Sequence, residues 1–453
     1  MSALEKAINH SKKIGIDECE IIKVGKKITT VRITDSEIAE VKQNFDKNYG
    51  IRIIDKKRIT AFQTTEESSL ENFVTKALEQ TKNLRPRGFW KGLPNRKPSQ
   101  KLEKTFDSDL HEISSSDITD IAQKMIDSAQ HKKVNTITGS LNIVSEEFEL
   151  QNSSNLALED KATYISGMIN AESEQGILPV SGIGQACGRT LEGFSPYEIG
   201  NDARTMCIES INPQKVDSGK YSVIFEPYSV GELLAFVVAS NFNLKTFSEK
   251  KSCFSDQLEE EIAVDGLTMT DDPHAIDGIG SKAYDDEGTP TKRASLIERG
   301  IFKDTFSNLF EGYKEGKHSS GNASRGGSQL GRSGEPIPAS SPHNLRIEAG
   351  TASQEEMIKD TRKGLLIGRL WYTYAVNPIR GDFSCTARSG IRIIENGQIK
   401  SPGRSVRIIH NLPSMLKNIS CIGSNQKNVI QWASLPSITP SVKVEKINAS
   451  LIN

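Results

Sequence analysis

The chain has 453 residues, of which 36% are hydrophobic and 25% charged, an ordinary globular composition with mass enough for two or three domains. Lys+Arg (57) and Asp+Glu (58) nearly cancel to a formal charge of −1, which excludes a global electrostatic pull towards nucleic acid or an anionic membrane and leaves only a local basic patch to supply one. No stretch approaches the roughly 20 apolar residues of a membrane span, Met1 to Ile14 lacks the apolar segment of a signal peptide, and Cys19, Cys187, Cys207, Cys253, Cys385 and Cys421 show no C-x-x-C spacing, so a cytoplasmic protein with reduced thiols is expected.

In chain order, Ser2 and Glu5 fit a capping box, Leu4, Ala7, Ile8 and Ser11 share one helical face, and Gly15 is a stop. From Glu20 to Thr64 the pattern becomes β: Val31 and Ile33, then Ile51 and Ile53, alternate with polar neighbours, and Asp55-Lys56-Lys57 reads as a hairpin turn. Leu70, Phe73, Val74, Ala77 and Leu78 have the spacing of an amphipathic helix. Arg85 to Lys104 is a basic connection carrying Pro86, Pro94 and Pro98 with Arg85, Arg87, Lys91, Arg96, Lys97, Lys101 and Lys104. It reads as a solvated linker; a polyanion-binding strip using Phe89 and Trp90 is the alternative.

Ser116 or Asp117 is expected to cap a helix whose apolar stripe is Ile118, Ile121, Ala122, Met125, Ile126 and Ala129. Paired strands are expected from Val134 to about Ala171, and a helix from Pro196 to Ser210 with Ile199, Ala203, Met206 and Cys207 inward. The polar break Gln214 to Lys220 marks the main boundary. The expected fold is α+β: an N-terminal domain of mixed sheet and helices over 1–215, with subdomains 1–84 and 105–215 joined by the basic linker, and a β-rich C-terminal domain with few helices over 216–453. In the second half, Tyr221 to Phe225 reads as a strand and Val230 to Asn241 as a buried helix.

Motifs for chemistry are sparse. Gly182-Ile-Gly184-Gln-Ala-Cys-Gly188 places its third glycine one residue late for a dinucleotide fingerprint. Gly326-Gly327 and Gly331 lack the Gly-Lys-Ser/Thr of a P-loop and read as a mobile loop. His10, His111, His131, His274, His318, His343 and His410 form no H-E-x-x-H pair. Asp285-Asp286-Glu287-Gly288 is a dense acidic cluster; in a strand its neighbours would face opposite ways, so a loop role is favoured over a cation site. Gly381-Asp382-Phe383-Ser384 reads as a compact polar turn in which Asp382 satisfies backbone donors.

A series of segments in the second half resembles the TldD/PmbA family of peptidase-related proteins. They are Asp271-Asp272-Pro273, Tyr284-Asp285-Asp286-Glu287-Gly288-Thr-Pro290, Leu296-Ile-Glu298-Arg-Gly300, Asn322-Ala-Ser-Arg325, Asn344-Leu-Arg-Ile-Glu-Ala-Gly350, Gly381-Asp382-Phe383-Ser384 and Ile394-Glu395-Asn396-Gly397. The first half fits more loosely, through Gly50-Ile-Arg-Ile and Leu150-Gln-Asn-Ser153. The resemblance implies that zinc-bearing members carry H-E-x-x-x-H on a helix early in the second domain and a third, cysteine ligand near the C-terminus. Here the matching positions hold Ala235, Phe236 and Ser240, with Cys421 near the cysteine region. This places the chain with the TldE/PmbA-type members, and implies a non-catalytic subunit with no cofactor of its own. Zinc is expected in a TldD-like partner subunit, and unfolded or modified peptides are the expected substrates. Asp285, Asp286, Glu287, Gly288, Gly381, Asp382, Phe383 and Ser384 are the candidates for cleft or partner contact. The alternatives are an autonomous metallopeptidase with a relocated site, perhaps using Asp285, Glu287, Asp382 or a distant histidine, and a nucleic-acid-associated module.

Overall fold

Two short turns organise the first half. Asp35-Ser36 and Lys56-Lys57 take φ of 53°, 65°, 49° and 61°, the consecutive left-handed residues that match a two-residue hairpin to strand twist. They fold β1 (Glu18–Thr34), β2 (Glu37–Asp55) and β3 (Arg58–Thr64) onto one another. The structure is a computed structural model describing residues 1–95, 102–327, 330–431 and 435–452. With β4 (Thr136–Asn152), β5 (Ala157–Ser173) and β6 (Val180–Gly188), these strands make an antiparallel sheet of order β3-β2-β1-β4-β5-β6. Strands β1 and β4 pair from Glu20–Asn152 to Ile33–Gly139, so the stretches 1–84 and 105–215, expected as subdomains, share one sheet.

Helices α1 (Ala3–Lys13), α2 (Leu70–Thr81), α3 (Ser108–Glu112), α4 (Ser115–Ala129) and α5 (Pro196–Glu209) belong to this half. Ser114 caps α4, in place of the expected Ser116 or Asp117, and accepts the Asp117 N–H. One face of the sheet is covered by helices: Leu4, Ala7, Val74 and Ala77 pack on Ile21, Ile51 and Ile53, and Ala122, Met125, Ile199 and Ala203 on Val31, Leu141 and Ile165. The other face is covered by the second half of the chain, where Ile22, Val24, Phe148 and Leu150 meet Tyr284. Burial on both faces explains the unbroken apolar pair Ile21-Ile22, each such side chain contributing about 1.5–3 kcal/mol. The glycine-rich stretch is a packing device: a Cβ on Gly184 would stand 1.9 Å from the Ile199 carbonyl, so α5 lies directly on β6.

The second half contributes β7 (Gly219–Phe225), β8 (Met269–Asp271), β9 (Ala294–Glu298), β10 (Ile301–Phe302), β11 (Ala323–Ser324), β12 (Ala339–Ser340) and β13 (Leu345–Ile347). These are followed by β14 (Lys363–Asn377), β15 (Asp382–Glu395), β16 (Gln398–Pro402), β17 (Val406–Asn411), β18 (Ile419–Ile422), β19 (Lys427–Val429), β20 (Ser437–Thr439) and β21 (Val442–Leu451). Its helices are short: α6 (Pro227–Leu233), α7 (Leu244–Ser248), α8 (Leu309–Lys314), α9 (Gln354–Lys359) and α10 (Leu412–Lys417). Strand β14 pairs with both β7 and β15, which closes the ring β14-β7-β21-β17-β15 into a small barrel. A second, mixed sheet has the order β10-β9-β8-β13-β20-β19. Val230, Leu233, Val237 and Phe242 share one core with Val223, Leu365, Phe383 and Ile408 of the barrel and with Met269, Ile297 and Leu345 of the mixed sheet.

The helix expected over Val230 to Asn241 is broken into α6, a π turn at Leu234–Val238 and a 3₁₀ turn at Ala239–Phe242. Asn241 Nδ2 donates to the Val237 and Val238 carbonyls at 2.8 and 3.4 Å, satisfying acceptors left at the end of the wide turn. Among the described residues no helix is long and apolar enough to cross a membrane.

The basic connection is only partly the solvated linker its composition suggests. Arg85, Arg87 and Lys91 are exposed, but Trp90 and Leu93 are buried with Ile54 and Leu309. Trp90 Nε1 donates to Glu18 at 2.6 Å, and its ring meets Tyr313 edge-on at 5.5 Å. Phe89 stacks edge-on against Phe310. The two aromatics are thus engaged with α8 and not presented for base stacking. Arg96, Lys97, Pro98 and Lys101 lie outside the described residues.

Candidate functional site

The acidic loop is a junction between the two halves, with all three carboxylates fully buried. The backbone turns at Asp285 and Gly288, where the Gly288 N–H donates to the Asp285 carbonyl and φ of Gly288 is +83°. Asp285 folds back on its own loop and accepts the N–H groups of Glu287, Thr289 and Ala323 at 3.0, 2.8 and 3.0 Å. Burial, with the Glu287 charge beside it, pushes its carboxyl above the usual range. Asp286 accepts from Lys282 Nζ at 2.9 Å, Arg325 N–H at 2.7 Å and Arg332 Nε at 2.8 Å. Burial alone would raise Asp286, but the Lys282 and Arg332 charges outweigh it and hold the carboxyl well below the carboxylate range. Glu287 accepts from Arg52 and from the Leu309 N–H at the start of α8.

These bonds run straight into the first sheet. Arg52 on β2 also reaches Glu20 on β1 at 2.9 Å, and Glu20 in turn accepts from Arg325. Arg332 binds Glu146 on β4 at 2.7 Å and Asp160 on β5 at 2.9 Å. The cluster therefore alternates sign across the seam, with every carboxylate of the acidic loop taken up by structural donors. Its role is docking, and its members do not converge on a common point where a cation would sit. The stretch expected as a mobile Gly/Ser/Arg loop is held where it is described: Arg332 is 1% exposed, and a Cβ on Gly331 would meet Glu146 at 2.2 Å.

The turn at Gly381 differs from its expected form. Gly381 has φ +78° and closes the β14–β15 connection, with its N–H on the Pro378 carbonyl. Asp382 takes its hydrogen bond from the Asn411 side-chain amide at 3.0 Å and a surface ion pair from Arg380 at 3.5 Å, not from backbone donors. Phe383 is fully buried and Ser384 is nearly so; both are strand residues of β15 and not part of a polar turn.

The helix positions are inert as metal donors. Ala235 and Phe236 lie half-buried in the π turn and Ser240 is exposed in the next turn. Phe236 packs against the barrel core. Cys421 does not join them: it packs with Ile224, Met357 and Leu366, whereas the flanking Val223 and Phe225 of β7 face the core that holds the helix. Successive strand residues point to opposite faces, so Cys421 stands on the far side of the sheet, with its thiol raised by burial. Among the described residues no three His, Cys, Asp or Glu side chains are grouped to hold a metal ion.

One titratable group on this helix has no counterpart in the sequence reading. Glu232, one turn before Ala235 and Phe236, is 3% exposed and accepts the Leu370 N–H of β14 at 2.6 Å. Burial pushes its carboxyl up to about 8, against the Leu370 N–H and the charge of Arg369. Glu232 lies inside an apolar run, and only the tertiary contact with β14 reveals it. The roles of Glu20, Glu146 and Arg332 are likewise not legible in the sequence, because their partners come from distant segments; Arg52 and Arg325 are legible only as parts of the Gly50-Ile-Arg-Ile and Asn322-Ala-Ser-Arg325 segments.

Residues 218–451 match the PmbA/TldA metallopeptidase C-terminal domain, and residues 19–81 match PmbA/TldA metallopeptidase domain 1. A metalloprotease of Methanothermobacter thermautotrophicus is 25% identical over 411 residues, covering 88% of this chain and 86% of the relative. Metalloprotease PmbA of Escherichia coli O157:H7 is 28% identical over 260 residues, covering 57% of this chain and 53% of the relative. The crystal structure of TldE from Thermococcus kodakarensis superposes with a TM-score of 0.89 at 23% identity, covering 99% of this chain and 100% of that one.

Proposed function

Because this chain belongs to the PmbA/TldD metallopeptidase family, we propose that it is a TldE-type subunit that lacks a catalytic metal of its own and works with a zinc-bearing TldD-type subunit in cytoplasmic peptide processing. The observation that carries this reading is the helix at 227–242. Alanine and phenylalanine at the ligand and base positions offer no lone pair to zinc and cannot move a proton, and Cys421 faces away across the sheet. In this reading the zinc, which lowers the pKa of a bound water and polarises a peptide carbonyl, sits in the partner. This chain contributes surface that binds and orients the peptide.

A relocated site within this chain would need free carboxylates. Asp285 is taken up by the backbone N–H groups of Glu287, Thr289 and Ala323, Glu287 by Arg52 and the Leu309 N–H, and Asp382 is paired with Asn411 and Arg380. The test is to purify the chain alone and after co-expression with a zinc-bearing TldD-type subunit, and to measure zinc content and peptide cleavage on both. The expected result is a stable complex with zinc and activity, and neither in the isolated chain. Stoichiometric zinc together with cleavage by the chain alone would overturn the proposal.

A further inference from the structure

Among the described residues the buried arginines are matched, with one exception. Arg52, Arg325 and Arg332 pair with carboxylates, and Arg189 spends its guanidinium on the carbonyls of Thr163, Ile279, Ser281 and Thr105. Arg369 on β14 is only 7% exposed, yet among the described residues its guanidinium has no hydrogen bond and no ion pair, and its Nε is sealed from solvent. Its Cζ lies 4.5 Å from the centre of the Trp371 ring. A second guanidinium, that of the exposed Arg388, stands 5.6 Å from the same ring and also lacks an acidic partner among the described residues.

The backbone brings the two cations together. Arg369 pairs with Ser389 and Leu370 with Ala387, so Arg388 is the extra residue of a β-bulge, a device that re-aims a side chain. The Glu232 carboxyl, whose charge Arg369 senses, does not come within ion-pair distance of it; it is held by the Leu370 N–H. Two like charges on one indole, one of them desolvated, are unfavourable unless an anion completes the set.

We infer that Arg369, Arg388 and Trp371 form a carboxylate-binding site. A guanidinium fork matches a planar carboxylate with two parallel hydrogen bonds, and the Trp371 ring gathers both guanidinium groups in one place. The ligand class is therefore a peptide carboxylate, either the C-terminal one or that of an Asp or Glu side chain. Taking a peptide as the source rests on the function proposed above; the site itself does not.

The test uses the full chain without a partner, titrated calorimetrically with acetyl-tetraalanine, its C-terminal amide, and an amidated acetyl peptide containing one glutamate. The expected result is about tenfold or greater preference for a carboxylate-bearing peptide over the neutral amide, and whichever acid binds identifies the source. Arg388→Gln, at an exposed position, and Arg369→Gln should each abolish the preference. Arg369→Met should melt at the same temperature as the parent or higher, since it removes an unpaired buried charge. Equal binding of acid and amide, no binding of either, an unchanged preference in Arg388→Gln, or tighter competition by inorganic phosphate than by acetate would each overturn the assignment. None of those outcomes would alter the co-purification result, so the two proposals fail separately.

Discussion

Arg332 Nε and Asp286 Oδ1 meet at 2.8 Å across 46 residues of sequence, with both side chains almost wholly withdrawn from water. The same guanidinium binds Glu146 and Asp160 on the N-terminal sheet. The seam between the two halves is thus keyed by charge as well as by apolar contact. A buried ionic network of this kind adds little net stability over an apolar filling, but removing one member strands the others.

Arg332→Ala is therefore expected to destabilise the protein by about 3–5 kcal/mol, read as a lower denaturation midpoint in urea with an unchanged slope. Arg332→Lys should not restore it, because one ammonium cannot reach Asp286, Glu146 and Asp160 in the geometry of a planar fork. A lysine variant as stable as the parent would show that charge alone suffices.

Glu232 predicts an alkaline loss of stability. Its carboxyl titrates near 4.3 when unfolded and at about 8 in the fold. Between those values the folded state holds more protons than the unfolded one, so its contribution is complete below the unfolded pKa, declines as pH rises, and is gone above the folded pKa. Glu232→Gln should flatten this decline and raise stability at pH 8–9 by on the order of a few kcal/mol. Urea midpoints measured from pH 5 to 9 check it; parallel profiles for parent and variant would show that the carboxyl is not held neutral.

Gly288→Ala is expected to cost about 1–3 kcal/mol, because φ is +83° and the added Cβ would stand 2.5 Å from Leu156 Cδ2 in the β4–β5 connection. Thermal melting of the variant measures the loss. The effect should exceed that of Gly326→Ala, where a Cβ meets nothing within 4 Å.

Cys421→Ala is expected to leave the zinc content and activity of the reconstituted complex unchanged, since the thiol packs against Ile224 and Met357 on the sheet face away from the 227–242 helix. Elemental analysis of the complex reads this directly, and a loss of metal on substitution would place the cysteine in the ligand set.

What the sequence by itself determined is local and periodic. The amphipathic stripes of α2, α4 and α5, the Lys56-Lys57 turn and the alternation in β1 and β2 follow from 3.6- and 2-residue repeats and from turn chemistry acting over a few residues, and the ordered second-half segments were enough to reach the family. What only the tertiary structure decided is which distant groups meet. Burial of the first sheet on both faces, the alternating Arg–carboxylate seam, the π turn under Ala235 and Phe236, the far-side placement of Cys421 and the unmatched Arg369 each depend on strands separated by tens to hundreds of residues. Desolvation and ion pairing act through space, so a residue such as Glu232 has its character set by the strand laid against it and not by its neighbours in the chain.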